Sequence, residues 1–305
     1  MKKIMINMSV VMATYNGAKY ISEQLDSIIA QTLAPDEIII VDDCSNDNTW
    51  LVLSEYAQRY PQIKLYRNDA NLGVVKTFEV ALMLCTGEFI ALADQDDYWL
   101  PNKLELLMAN IGSNWLIHSD AYIVDESLNV ISESYNRIKP YHDNSLTMYL
   151  LRNNVTGCTV LLHRDLLKLA LPFPPNVIMH DHYLALCAKY YVKLIYLNLP
   201  LLKYRQHAQN VVGSGESQSY SAMVANYQKY ILFLDGLYFA KIQFDHVQLA
   251  CAKNYFVSIV NARMPQLATV RMVKQLFGLK NVVALFLYTL FGKRFAKSMF
   301  DRKKR

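Results

Sequence analysis

The sequence predicts an α/β protein: a mostly parallel sheet flanked by helices, with a helical extension at the C-terminal end. Three observations carry that reading. Short apolar runs alternate with helix-period stretches over the first hundred residues. The runs are apolar at consecutive positions, as strands covered on both faces require. Two of them end in carboxylates, Asp42-Asp43 and Asp94-Gln95-Asp96-Asp97. The carboxyl ends of strands are where open α/β sheets bind ligands.

Met8 to Thr14 reads as a first buried strand, broken by Tyr15-Asn16-Gly17. A helix follows, with Ile21, Leu25, Ile28 and Ile29 on one face. Glu37 to Val41 is a second strand, and Ser45 to Thr49 supplies turn and capping chemistry for a helix reaching Tyr60. Ile63 to Arg67 is a third strand, Asn68 to Gly73 a turn, Val74 to Cys85 a helix, and Phe89 to Ala93 a fourth strand. Pro101 suits the first turn of a helix running to about Ile111. Beyond it, short strands are expected at 115–118, 121–124, 128–131, 157–162, 192–197 and 201–204. Tyr135 to Asn144 reads as an irregular loop, and helices are expected over 145–151 and from His180 to Tyr190. Ser214 to Ser219 shifts to Gly, Ser, Glu and Gln, a linker composition that divides a domain at 1–213 from a helical region at 214–305. In that region Tyr227, Ile231, Leu234, Leu237 and Tyr238 form one apolar face.

With 305 residues and 53% hydrophobic content, the chain can bury a large core. Its mean hydropathy of +0.08 is too low for a multi-span membrane protein. Met8 to Ala13 is too short for the apolar region of a signal peptide. The five cysteines are odd in number and scattered, without a C-x-x-C pair. Neither a disulfide framework nor a zinc site is expected, and a reducing cytoplasm is the natural compartment. The last thirteen residues hold seven basic side chains against Asp301, which is +6 of a net +5 and leaves the rest at −1. Basicity confined to a tail excludes a nucleic-acid-binding core.

Several residue groups have both a bland and a chemical reading. Asp42-Asp43 caps the next helix, or accepts the N3–H of a pyrimidine base. Thr14-Tyr15 is a strand terminus, or offers a hydroxyl and a ring face to the same nucleotide. Asp94-x-Asp96 is a solvated acidic loop, or holds Mg²⁺ or Mn²⁺ through oxygen. His180-Asp181 begins a helix, with Asp181 as a cap or as a general base. His207 is a surface histidine or a third metal ligand. No Gly-rich phosphate loop follows the first strand, which argues against dinucleotide oxidoreductases, P-loop NTPases and sugar nucleotidyltransferases.

Taken together, these motifs resemble the family-2 inverting glycosyltransferases of the GT-A (Rossmann-like) fold over about residues 8 to 210. The resemblance lies in Val10-Val-Met-Ala-Thr-Tyr-Asn-Gly17, Ile39-Ile-Val-Asp-Asp-Cys-Ser-Asn-Asp-Asn-Thr49, Asn71-Leu-Gly73 and Ala93-Asp-Gln-Asp-Asp-Tyr-Trp99. His180-Asp-His-Tyr-Leu-Ala185 and the stretch from Tyr204 to Gly213 resemble the bacterial branch that contains rhamnosyltransferases of surface-polysaccharide assembly. The resemblance implies that Thr14, Tyr15 and Asp42 hold the nucleoside and that Arg67 contacts base or ribose. Asp94 would touch ribose or metal, and Asp96 would ligate Mg²⁺ or Mn²⁺ on the diphosphate. Asp97 would orient the other two. His207 would meet metal or diphosphate, and Asp181 would be the catalytic base. Where the family pattern often has Trp after His-Asp, this chain has His182-Tyr183.

The implied donor is a nucleoside diphosphate sugar, dTDP-L-rhamnose first and a UDP-hexose second. The implied acceptor is a glycan or lipid-linked glycan. The alternative is a non-catalytic nucleotide-sugar-binding subunit that keeps the fold.

Asn281 to Phe291 is almost wholly apolar. At ~1.5 Å per residue it spans roughly 15 Å, about half a bilayer core. With the basic tail behind it, the segment reads either as a helix packed on the protein or as an interfacial helix on an anionic membrane surface. The second reading places the protein peripherally on the inner face of the plasma membrane. It predicts that deleting residues 281 to 305 abolishes flotation with anionic liposomes; equal flotation of both forms would refute it.

Overall fold

The computed structural model describes residues 7–138, 145–153, 155–207, 220–261 and 264–277. The expected linker and the basic tail lie outside these residues. The chain forms two compact units, one of Met1–Asp143, Asn153–Phe173 and Met179–Ser214, the other of Asn144–Arg152, Pro174–Ile178 and Gly215–Arg305.

The first unit opens with β1 (Met8–Thr14), α1 (Ile21–Ile29), β2 (Glu37–Asp42), α2 (Thr49–Arg59), β3 (Ile63–Arg67), α3 (Val74–Leu84) and β4 (Phe89–Ala93). These are the elements expected there, to within a residue or so. Their strands pair in parallel in the order β3-β2-β1-β4. Every residue of β2 is buried, so its apolar run is that of a strand covered on both faces. On α1, Ile21, Leu25 and Ile28 are fully buried, the face the helical period assigns to the core.

The second half adds β5 (Tyr98–Trp99), α4 (Lys103–Ile111), β6 (Leu116–Val124), β7 (Val130–Ser132) and α5 (Tyr135–Ile138). After α6 (Leu146–Leu151), which belongs to the second unit, come β8 (Val160–His163), α7 (Arg164–Ala170), α8 (His180–Tyr190) and β9 (Leu194–Arg205). Among the described residues the sheet continues β4-β8-β6-β9-β5, with β7 on β6. Here antiparallel pairs (β4–β8, β8–β6, β9–β5, β6–β7) alternate with the parallel pair β6–β9.

Several local expectations are corrected. The strands expected at 115–118 and 121–124 are one strand, and so are those at 192–197 and 201–204. Polar Ser119-Asp120 interrupts the apolar run because the β6–β9 register shifts there, a bulge rather than a chain break. Gly157 to Thr159 is a 3-10 turn ahead of β8, not the start of a strand. Tyr135 to Ile138 is helical, held by Asp120 Oδ1, which accepts from the backbone N–H of Asn136 at 3.0 Å. Helix α7 was not expected.

In the second unit, α9 (Tyr220–Gly236), α10 (His246–Val260) and α11 (Leu267–Phe277) are helical, as expected. On α9, Leu234 is buried, and so is Leu237 just beyond it. Phe233 is buried too, while Tyr238 is exposed, because the chain tightens into a 3-10 turn at Leu237–Phe239 and leaves the helical period.

At the opposite end of the strands from the acidic motifs, Glu37 is buried and heavily hydrogen-bonded. It accepts from Ser9 Oγ at 2.7 Å, Lys64 Nζ at 2.6 Å and Thr86 Oγ1 at 2.9 Å, and from the backbone N–H of Thr86. Burial alone would raise its pKa. The hydrogen bonds from Lys64, Thr86 and Ser9 outweigh burial and hold it at about 2, against 4.5 unperturbed. A carboxyl depressed on folding stabilises the native state above its unfolded pKa and loses that contribution as pH falls through the folded value. Glu37→Gln is therefore expected to cost on the order of 2 kcal/mol at pH 7 in urea unfolding. It should also flatten the stability loss of the wild type between about pH 4.5 and pH 2.

Candidate active site

Strand register brings the sequence motifs to one edge. Thr14 lies opposite Asp42, Asp42 opposite Arg67, and Met12 opposite Ala93, so the ends of β1, β2, β3 and β4 come out side by side. The loops after them carry the polar residues singled out in the sequence.

Asp42 is fully buried. Its Oδ1 accepts from Thr14 Oγ1 at 3.1 Å and Ser45 Oγ at 2.5 Å, and its Oδ2 from the Ser45 backbone N–H at 2.9 Å. Arg67 Nε lies 3.4 Å from the same Oδ2. A pyrimidine N3–H directed at this carboxylate would have to replace one of these partners. Arg67 also donates from Nη2 to the Ser45 carbonyl at 2.7 Å and packs over the Trp50 ring. Asp43 anchors the next turn, accepting from Asn68 Nδ2 and from the backbone N–H groups of Leu72 and Gly73 at 2.8 to 2.9 Å.

Gln95, which sequence reasoning passed over, joins the first loop to the acidic one. Its Oε1 accepts from the Tyr15 N–H at 2.9 Å and its Nε2 donates to the Tyr15 carbonyl at 3.0 Å. A Cβ at Gly17 would overlap this amide, so a side chain there would have to displace Gln95 from Tyr15. The Tyr15 side chain is left exposed.

The acidic loop divides its carboxylates. Among the described residues, Asp94, Asp97 and Cys158 place ligand atoms within 4.8 Å of one another. Burial pushes the Asp94 carboxyl up to about 7, with the charges of Asp96 and Asp181 adding to the shift. Burial drives Asp97 and the Cys158 thiol well above their ordinary values. The fully buried Lys103 supplies a cation at this point. It donates to the Cys158 carbonyl at 2.6 Å, lies 3.3 Å from the Trp99 ring centroid, and is pulled down to about 7 by burial. A protonated thiol is a poor ligand for a hard cation.

On the other side of the loop, Asp96 Oδ2 and His207 Nε2 meet at 2.8 Å, both side chains largely shielded. That is a direct hydrogen bond, so a cation held by both groups would replace it; the ligand types, a carboxylate and an imidazole, are ones that Mn²⁺ accepts. Of the three ligands expected from sequence, Asp96 and His207 are therefore brought together. Asp94 sits with Asp97 and Cys158.

Asp181 occupies the first turn of α8, where the helix dipole favours an anion. Its Oδ1 accepts from Asn153 Nδ2 at 3.0 Å and from the His182 N–H at 2.6 Å. Asn153 Oδ1 in turn accepts from the Val155 N–H at 2.9 Å, which fixes the amide so that Nδ2 faces Asp181. His180 stacks on Phe78 with ring centroids 3.7 Å apart, and burial holds it neutral, with a pKa of about 3. A Cβ on Gly157 would come within 3.0 Å of His180 Nε2 and 3.6 Å of Asp181 Oδ2. Gly157 faces the base candidate and the adjoining Cys158 faces Asp94 and Asp97. One dipeptide thus separates Asp181 from the acidic loop. Asn153, Gly157 and Lys103 were not picked out from sequence. The only local signal was the glycine ahead of an apolar run.

Residues 9–169 match Glycosyl transferase family 2. An uncharacterised Mycobacterium tuberculosis protein is 32% identical over 213 residues, 67% of this chain and 60% of that one. The chain thus spans less than two thirds of the length of the mycobacterial relatives it matches. The Escherichia coli UDP-Glc:alpha-D-GlcNAc-diphosphoundecaprenol beta-1,3-glucosyltransferase WfgD is 34% identical over 186 residues, 58% of this chain and 67% of that one. Among solved structures, S. aureus TarS 1-349 in complex with UDP-GlcNAc superposes with a TM-score of 0.62 at 19% identity, covering 98% of this chain and 92% of that one. The mannosyltransferase PcManGT from Pyrobaculum calidifontis, in complex with GDP-Man and Mn²⁺, gives 0.56 at 17% identity, covering 97% and 84%. These likenesses establish the fold as GT-A. The family match covers more than half of the chain, and its strand ends carry the family's motifs: the chain belongs to glycosyl transferase family 2.

Proposed function

We propose that the protein is a metal-dependent inverting glycosyltransferase. It would move a sugar from a pyrimidine nucleoside diphosphate to a hydroxyl of a lipid-linked bacterial glycan. The observation that carries this reading is the placement of Asp181 one dipeptide away from the acidic loop, with its carboxylate held by Asn153 and the start of α8.

Thr14, Tyr15 and Arg67 surround the nucleoside end of the site. Asp42 supports them through its bonds to Thr14, Ser45 and Arg67. Asp96 and His207 would hold Mg²⁺ or Mn²⁺, with Asp94 at its edge and beside the ribose. A cation bound there would supply charge stabilisation to the leaving diphosphate. Asp181 takes the proton of the acceptor hydroxyl as its oxygen attacks the anomeric carbon. The glycosyl–phosphate bond breaks with its electron pair leaving on the diphosphate. One displacement from the opposite face inverts configuration.

The lipid-linked acceptor is supported by WfgD, whose acceptor is a GlcNAc-diphosphoundecaprenol. WfgD and TarS bear on a UDP-hexose donor, while the branch resemblance in 180–213 points to dTDP-L-rhamnose. No described helix is long and apolar enough to cross a membrane.

Thermal denaturation with Mn²⁺ against dTDP-L-rhamnose, UDP-glucose, UDP-GlcNAc and GDP-mannose should raise the Tm with a pyrimidine nucleotide sugar. A rise with GDP-mannose alone would overturn the pyrimidine assignment. Asp181→Asn should lower turnover of the donor so identified by about 10²- to 10⁴-fold while leaving its Kd within a few-fold. Unchanged turnover would remove Asp181 from the role of base.

A further inference from the structure

Among the described residues, Arg205 makes an extensive set of contacts that the proposed mechanism leaves unused. It ends β9, and its side chain is almost fully buried. The backbone N–H of Arg205 donates to Asp97 Oδ1 at 3.2 Å, and its Nε donates to the Asp96 carbonyl at 2.8 Å. Nη1 donates to the Glu126 carbonyl and Nη2 to Glu23 Oε2. The guanidinium carbon stands 4.6 Å from the centre of the Tyr20 ring, and the same ring packs against His207 at 5.0 Å. One side chain therefore ties α1, the chain after β6 and the acidic loop together. It lies two residues before the histidine that meets Asp96.

We infer that Arg205 is a positioning residue: its guanidinium fixes the backbone at Asp96, and so presents Asp96 to His207 as a seat for a divalent cation. The inference rests on the reading of Asp96 and His207 as the cation's ligands. The planar fork matters more than the charge. Three separate guanidinium nitrogens reach three acceptors on different segments, which an ammonium on a flexible stem cannot reproduce.

The sign of the effect separates positioning from simple electrostatics. A positive charge beside a cation site opposes the cation, so deleting Arg205 should tighten divalent binding if charge were its only contribution. Positioning requires the opposite.

The test compares wild type with Arg205→Gln and Arg205→Lys. Binding of Mn²⁺ alone is followed by electron paramagnetic resonance, and amide hydrogen exchange by mass spectrometry without metal. Both variants are expected to bind Mn²⁺ at least tenfold more weakly, with no rescue by lysine. The amides of 95–98 should exchange at least tenfold faster, while those of β1 and β2 keep their protection. Tighter or unchanged Mn²⁺ binding, full rescue by lysine, or unchanged exchange at 95–98 would each overturn the inference. If both variants fail to fold, Glu23→Ala removes one acceptor of the fork from a half-exposed position. Faster exchange at 95–98 in that variant supports the inference, and unchanged exchange overturns it. A wild type that binds no Mn²⁺ overturns the metal reading itself. That result is distinct from failure of the Arg205 inference, in which wild type and variants bind alike.

Discussion

The cost of holding carboxylates away from water is the constraint that this site answers. Asp42 ends β2, Asp43, Asp94, Asp96 and Asp97 lie in the loops after the strands, and Asp181 begins α8; Asp42, Asp43, Asp97 and Asp181 are buried outright. A carboxylate stripped of water is costly unless it is hydrogen-bonded or paired. The protein meets each case with a different partner. Asp42 has Thr14, Ser45 and Arg67; Asp43 has the turn at 68–73; Asp181 has Asn153 and the start of α8. At Asp94 and Asp97 the offset is incomplete. Lys103 stands nearby, but the carboxyls remain raised, which leaves the loop poised to gain from an added positive charge.

Much of the first hundred residues was legible in the sequence because its signals are local. Strands covered on both faces must be apolar at every position, and β1, β2 and β4 announce themselves that way. The acidic strand ends follow directly, since a parallel sheet with helical crossovers puts all its carboxyl ends on one edge. In the second half the signal weakens. Residues β6 and β9 carry polar interruptions that look like chain breaks, and only the paired strand shows that they are bulges.

The supporting residues of the site were hidden for another reason. Gln95 reaches back 80 residues to Tyr15, and Lys103 reaches 55 residues ahead to Cys158. Nothing in the immediate neighbourhood of these residues records such pairings. A glutamine between two aspartates or a lysine after a proline reads as surface. The candidate site residues come in recognisable words, whereas those that hold them in place are known only once the chain has closed.

The pairing of β5 with β9 has a further consequence. Only two positions on β5 take part, Tyr98 opposite Lys203 and Trp99 opposite Leu202, yet they set which residue of β9 arrives beside Asp97. Side chains alternate between faces along a strand, so a slip of one residue would turn Arg205 away and bring Gln206 in its place. Between Trp99 and His207 the protein keeps count rather than composition. A single inserted or deleted residue in that stretch of β9 would desynchronise the acidic loop from the histidine that faces it.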